Sequence, residues 1–409
     1  MSYNFYVKSN IDFGRGALAD LPRIIEGYRL KSVMIVYDGG VKAAGIADKV
    51  IEQVAKAGST ARISDAARSA PTGTAAASLR GSSSVGVSYT IFDGVIPNPT
   101  NEVVEEAAKI AKEAKVEGFV AVGGGSSIDL AKAVNILMTN PGRIGEYGGM
   151  NMVKNPCLPL IAIPTTAGTS SEITNVSALI DTEKVIKYVV IDNNIVATDV
   201  IADPELTRTV PRSVSAATGM DAITHAVESY ISNMATPLTE YNALKGLEIL
   251  YHNLPRVCEN GDDMDAREQM MLGCIITGFS FSNANLGLVH GIAHTLSAHF
   301  GLAHGMANAC VLPYVMRYNA EAAPEKMVDL AKSIGLAPTG DPETDKYLLA
   351  DALLQLTKDL GIKTLQEQGI TKDDFDMLAT DVLHEPVLGF NPRQGITKED
   401  IIEILKQAY

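Results

Sequence analysis

Between Ser32 and Thr166 short apolar runs alternate with stretches of helical spacing, and after Pro211 the alternation stops. SVMIVYDGG (32–40), VSYTIFDGV (87–95), GFVAVGGG (118–125) and LPLIAIPTT (158–166) read as strands. Between them VKAAGIADKVIEQVAKAG, NEVVEEAAKIAKEAK and SIDLAKAVNILM carry helical spacing. Strands that alternate with helices pack as a parallel sheet covered on both faces. From Ser213 to Tyr409 nearly everything is helical in period, punctuated by Asn, Gly and Pro. The expectation is an α/β domain over 1–211 and an all-helical domain over 212–409, with a ligand crevice between them.

Residues 59–86, STARISDAARSAPTGTAAASLRGSSSVG, fit neither texture. They are rich in Ser, Ala and Gly and poor in large apolar side chains, so they offer little to bury. Without them the flanks join as KAGVSYTIFDGV, a helix-to-strand turn of ordinary length. An inserted surface excursion with no catalytic part is expected.

Several function classes are disfavoured by composition. A formal charge of −14 gives no electrostatic grip on nucleic acid or an anionic membrane, so small molecules are the expected partners. The apolar runs are too short to span a bilayer, and MSYNFYVKSNIDFG lacks the basic and apolar regions of a signal peptide, which points to the cytoplasm. The four cysteines, Cys157, Cys258, Cys274 and Cys310, form no C-x-x-C pair and read as buried free thiols.

Four of the seven histidines fall within NLGLVHGIAHTLSAHFGLAHG (285–305). A helix advances about 100° per residue, so His290 and His294 share a face while His299 lies away from His290. Gly301 reads as a helix stop, after which a loop ending at Gly305 presents His304. Upstream, GMDAITHAVESYI sets Asp221 and His225 four apart on another helix. A carboxylate and imidazoles at such spacings suit a divalent ion such as Fe(II), Zn(II) or Mn(II).

A second constellation lies in the α/β half. VAVGGGSSIDLAK (120–132) runs from a strand through three glycines into a helix, a shape that lets backbone N–H groups approach a diphosphate. Asp38 closes an earlier strand, where a carboxylate accepts from an adenosine ribose and repels a 2′-phosphate, favouring NAD over NADP. The acidic residue precedes the glycines, the reverse of the usual dinucleotide fingerprint. IPTTAGTSSEIT (163–174) adds hydroxyls at Thr165, Thr166, Thr169 and Ser170.

These pieces together, FDGVIPNPT, VAVGGGSSIDLAK, PTTAGTSSE, TGMDAITHAVESYIS and GLVHGIAHTLSAHFGLAHG, make the chain resemble the iron-containing (group III) alcohol dehydrogenases. The likeness covers nearly everything outside 59–86. It implies a dehydroquinate-synthase-like nucleotide-binding domain followed by a helical metal-binding one, in a homodimer or larger assembly. It implies Asp221, His225, His290 and His304 as ligands of Fe(II) or Zn(II), with His294 beside the nicotinamide as a proton relay. For NAD it implies Asp38, Asn98, Gly124, Gly125, Ser126, Thr165, Thr166, Thr169, Lys187 and Leu206.

DVLHEPVLGFNPRQ (381–394) keeps an NPR turn, but the residues before it are atypical of the family; His384 reads as a surface histidine and Phe281 as core packing. The implied reaction moves a hydride between NAD and a small alcohol or aldehyde with metal assistance. A non-redox cyclase of the dehydroquinate-synthase type is the alternative. It would need a Lys and Arg cluster for a phosphorylated substrate, and the metal motifs carry none. A binding protein that kept the fold without activity is disfavoured by the intact Asp221, His225, His290 and His304.

Overall fold

The structure, a computed structural model, describes residues 3–57, 80–81 and 86–409, so most of the expected insertion at 59–86 lies outside the described residues. The chain divides into two compact units. One comprises Lys8–Thr166 and Ser171–Thr209; the other contains Val210–Tyr409 together with residues 3–7 and Ala167–Ser170.

The strands are β1 (Asn10–Phe13), β2 (Ser32–Asp38), β3 (Arg80–Gly81), β4 (Ser88–Val95), β5 (Gly118–Gly123), β6 (Gly149–Met150), β7 (Leu160–Pro164), β8 (Val176–Asp181), β9 (Ile186–Ile191) and β10 (Asp199–Ala202). Seven form one sheet in the order β1-β10-β7-β5-β2-β4-β3. All its pairings are parallel except β3 with β4, which is antiparallel. β5 and β7 are buried along their whole length, and β2 from Val33 to Tyr37, because helices cover both faces. Met34, Val36, Phe119 and Ala121 face the core under helices Asn101–Glu113 and Gly125–Thr139, whereas Val33, Ile35, Val120 and Val122 face the core containing Ile24, Ile25, Val50 and Val54.

The chain leaves β2 toward β4 and leaves β5 toward β7, so the winding reverses between β2 and β5. At such a switch point the carboxyl ends of the two strands splay their following loops apart and leave room for a ligand. β2 ends at Asp38 and β5 at Gly123. β8 and β9 form an antiparallel hairpin, joined by β6 in a separate small sheet.

The other unit is helical among its described residues. Its central helix, Arg212–Ile231, is buried almost all round from Ser215 onward. Pro237–Glu259, Met264–Ala284, Leu288–Phe300 and His304–Asn319 belong to the same apolar core, with Leu250, Cys274, Leu296 and Leu312 at its heart. Gly301 ends the helix Leu288–Phe300 in the left-handed region at φ +64, which glycine adopts without strain. His304, expected on a loop ending at Gly305, is instead the first residue of the next helix. Among the described residues no single helix is long and apolar enough to cross a membrane.

Candidate metal centre and phosphate-binding turn

Asp221, His225 and Glu228 share one face of the helix Arg212–Ile231, at spacings of four and three residues. The Nε2 atoms of His225, His290 and His304 lie 3.8, 3.9 and 3.8 Å from a single oxygen, Asp221 Oδ1. The donor atoms of Asp221, His290 and His304 all fall within 4.8 Å of one another. Four donors about 2.1 Å from one ion in a tetrahedron are roughly 3.4 Å apart, so the three distances to Asp221 Oδ1 are a few tenths of an ångström longer than that, while His225 lies outside the group of three whose donors are all within 4.8 Å of one another.

Gly305 makes the convergence possible. A Cβ there would sit 2.4 Å from the Ala217 carbonyl oxygen and 3.2 Å from Asp221 Cβ, so only glycine lets the helix His304–Asn319 press this closely on Arg212–Ile231. One turn after His304, Asn308 Nδ2 donates to Asp221 Oδ1 at 2.6 Å and lies 3.3 and 3.4 Å from His290 Nε2 and His304 Nε2. Its own Oδ1 is buried with no hydrogen-bond partner among the described residues. A hard carboxylate with the borderline imidazoles of His290 and His304 gathered round it, and His225 Nε2 on the same oxygen, is a donor set whose chemistry fits a divalent first-row cation.

Further groups orient the imidazoles. Glu228, 1% exposed, sets Oε2 2.6 Å from His290 Nδ1, while its Oε1 accepts from the Val289 N–H at 2.7 Å. His290 Nδ1–H therefore donates to the carboxylate and leaves the Nε2 lone pair facing Asp221. Burial pushes the Glu228 carboxyl up to about 7. The His225 ring stacks on Phe281 at 4.2 Å and on His290 at 4.9 Å, so Phe281 braces an imidazole as well as filling the core.

His294 stands apart from this cluster. Its ring is edge-on to His290 at 6.1 Å and stacked on His304 at 5.6 Å, and its Nδ1 faces Glu385 Oε2 at 2.9 Å. His299 pairs with Asp381 at 2.7 Å, and His384, exposed as expected, turns Nδ1 to the Thr380 carbonyl.

In the other unit, Asp38 Oδ1 accepts from the N–H groups of Gly40 and Val41 at 2.7 and 3.0 Å, and Oδ2 accepts from Ser127 Oγ at 3.2 Å. These bonds fix the carboxylate beside the glycine turn. Gly123 has φ +147, and a Cβ there would meet Ser127 Oγ at 2.4 Å and Asp38 Oδ2 at 3.2 Å. Gly124 precedes the helix Gly125–Thr139, whose first N–H groups and positive dipole end suit an anion. A Cβ on Gly124 would lie 3.1 Å from Thr166 Oγ1.

Asn98, left-handed at φ +51, donates its N–H to Ser126 Oγ at 3.3 Å, and its Oδ1 accepts from Lys187 Nζ at 3.3 Å. The Thr165 N–H donates to the Gly123 carbonyl at 3.0 Å. Leu206 is buried with Val122 and Ile163 in the apolar core. Thr169 lies in the stretch Ala167–Ser170, which belongs with the helices: Ser170 Oγ donates to the Cys274 carbonyl at 2.7 Å.

Glu228, Asn308, Glu385 and Ser127 were not singled out from the sequence. Glu228 lies seven residues after Asp221 and Asn308 four after His304, so helical spacing could have found both.

Comparison with known proteins gives the family. Residues 63–204 match the profile described as iron-containing alcohol dehydrogenase, and 215–409 that of the C-terminal part of the Fe-containing alcohol dehydrogenase family. The chain is 35% identical over 408 residues to alcohol dehydrogenase 4 of Saccharomyces cerevisiae (strain YJM789), covering 99% of this chain and 98% of that one. It is 36% identical over 401 residues to the lactaldehyde reductase of Escherichia coli (strain K12), covering 97% of each. A crystal structure of 1,3-propanediol oxidoreductase superposes with a TM-score of 0.90 at 33% identity over the whole of both chains. The chain belongs to the iron-containing alcohol dehydrogenase family, and it is an oxidoreductase of the alcohol dehydrogenase type.

Proposed function

We propose that this enzyme passes a hydride between NAD and a short alcohol or diol, and in reverse reduces the corresponding aldehyde. Asp221, His225, His290 and His304 hold a divalent ion, Fe(II) or Zn(II). The observation that carries the reading is the approach of three imidazole Nε2 atoms to within 3.8–3.9 Å of Asp221 Oδ1. An ion bound there supplies Lewis acidity toward an alcohol or carbonyl oxygen. Asp221 and His290 are buried, and the His304 side chain is 23% exposed, so substrate reaches the centre from the His304 side. His294 takes the alcohol proton and passes it toward solvent.

The glycine turn at Gly124, Gly125 and Ser126 cradles the diphosphate, and Asp38 receives the adenosine ribose and rejects a 2′-phosphate. Asn98, Thr165, Thr166, Thr169, Lys187 and Leu206 complete the cofactor site. A substrate of about three carbons is supported by the names of two relatives, lactaldehyde reductase and 1,3-propanediol dehydrogenase. The family match favours this reaction over the cyclase alternative.

We also place the enzyme in the cytoplasm as a homodimer or larger homo-oligomer. Among the described residues no cysteine is in a disulfide, and burial pushes the Cys157 and Cys310 thiols up to about 11 and about 12, as suits unreactive thiols. The reaction is tested by following NADH in near-ultraviolet light with Fe(II)- or Zn(II)-reconstituted protein and ethanol, 1,2-propanediol and 1,3-propanediol. Metal-dependent NADH formation with a diol is expected; none with any alcohol, or equal rates after chelation, refutes the proposal.

A further inference from the structure

The helix Leu288–Phe300 presents two imidazoles on one face, and each turns Nδ1 to a carboxylate. His290 meets Glu228 at 2.6 Å, from the central helix. His294 meets Glu385 at 2.9 Å, from the turn after helix Phe375–Val382. Glu385 therefore comes from the segment 381–390, where the sequence departs from its family resemblance, and its side chain is held to 17% exposure against 10% for His294.

The segment is fastened from both sides. The Glu385 N–H donates to the Val382 carbonyl at 3.0 Å, and its carbonyl accepts from the Leu388 N–H at 3.2 Å. Next comes the short 3-10 turn Pro386–Phe390, whose Val387 and Leu388 lie over Gly291. A Cβ on Gly291 would be 3.2 Å from Leu388 Cδ2, 3.5 Å from Val387 Cγ2 and 3.6 Å from Glu385 Cβ. The bare backbone at 291, between the two histidines, lets Leu388 pack closely there, with Val387 and Glu385 at ordinary contact distance beside it. Beyond the turn Asn391, 1% exposed, exchanges hydrogen bonds of 2.8 and 2.9 Å with Asn319 and accepts the Leu288 N–H at 3.3 Å. The carboxylate is thus pre-positioned with its backbone pinned to the start of the histidine helix.

We infer that Glu385 is a positioning residue for the redox reaction. By accepting from Nδ1–H it fixes the His294 tautomer and ring plane, leaving the Nε2 lone pair to receive the alcohol proton. The inference rests on the reading of His294 as the proton relay. It gives the atypical turn a role: it supplies to the relay histidine what Glu228 supplies to a ligand histidine.

Glu385→Ala, Glu385→Gln, His294→Ala and the Glu385→Ala/His294→Ala double variant, each loaded with Zn(II), test it. Glu385→Ala should keep parental metal content and KM for the alcohol while kcat falls roughly 10–100-fold. Glu385→Gln, whose amide oxygen still accepts from Nδ1–H, should recover most of that loss. In His294→Ala the further loss of Glu385 should cost nothing. Two-bond 1H–15N spectra of the histidine rings, with the His294 signals identified by their absence in His294→Ala, should show Nδ1–H in the parent and in Glu385→Gln. Glu385→Ala should show a mixture of tautomers.

A parental kcat in Glu385→Ala, additive losses in the double variant, or an unchanged tautomer overturns the positioning role while leaving the relay in place. A parental kcat in His294→Ala overturns the relay and this inference with it.

Discussion

Glu228 Oε2 lies 2.6 Å from His290 Nδ1, on the side of the ring away from the Nε2 that faces Asp221 Oδ1 at 3.9 Å. The carboxylate fixes which nitrogen carries the proton and makes the other a better ligand. Glu228→Gln should therefore weaken Zn(II) binding roughly 10–100-fold while leaving the fold intact, as measured by competitive chelator titration. Parental affinity would show that His290 is oriented by its packing alone.

The glycine turn makes an equally local claim. Gly123 combines φ +147 with a Cβ position already filled by Ser127 Oγ at 2.4 Å. Gly123→Ala must displace Ser127 and loosen its bond to Asp38, disturbing together the turn and the carboxylate proposed to receive the diphosphate and the ribose. KM for NAD should rise at least about tenfold, equivalent to ~1.4 kcal/mol of binding, with metal content unchanged. An unaltered KM would place the dinucleotide elsewhere.

Much of this was legible beforehand, for identifiable reasons. β2, β5 and β7 announce themselves because burial on both faces requires unbroken apolar runs. The hairpin β8–β9 does not: the buried positions of β8 are Ser177, Leu179 and Asp181, so polarity and burial do not alternate together. The helical spacing of 41–58 hides a break at Gly45, which turns left-handed at φ +70 between two helices. His304 opens a helix whose preceding residue, Ala303, makes no side-chain cap, so no start signal marks it. The placing of Asp221 and His225 on one face of Arg212–Ile231 was readable from spacing, whereas Glu385 reaches His294 across 91 residues with no periodicity to betray it.

Lys132 and Glu172 add a pH signature to the α/β unit. Lys132 is fully buried, and its Nζ donates to the carbonyls of Val176 and Thr174 at 2.7 and 2.9 Å; burial depresses its ammonium to about 8. Glu172, 4% exposed, is pushed by burial from 4.5 up to about 7. A carboxyl raised on folding contributes stability that is fully present below its unfolded value and lost as pH rises through its folded one, here between 4.5 and about 7. Glu172→Gln does not titrate, so its stability relative to the parent should climb by about 2–3 kcal/mol across that interval. Denaturant unfolding at a series of pH values reads this directly; a constant difference would mean that Glu172 is ionised in the fold throughout.

Metal content per chain, measured after reconstitution and gel filtration for the parent, His290→Ala, His304→Ala and His294→Ala, tests the central assignment. The parent and His294→Ala should carry a stoichiometric ion, with turnover slowed only in the latter, while His290→Ala and His304→Ala should lose both ion and turnover. A His290→Ala protein that keeps parental metal would contradict the four-ligand centre, and with it the chemistry assigned to this chain.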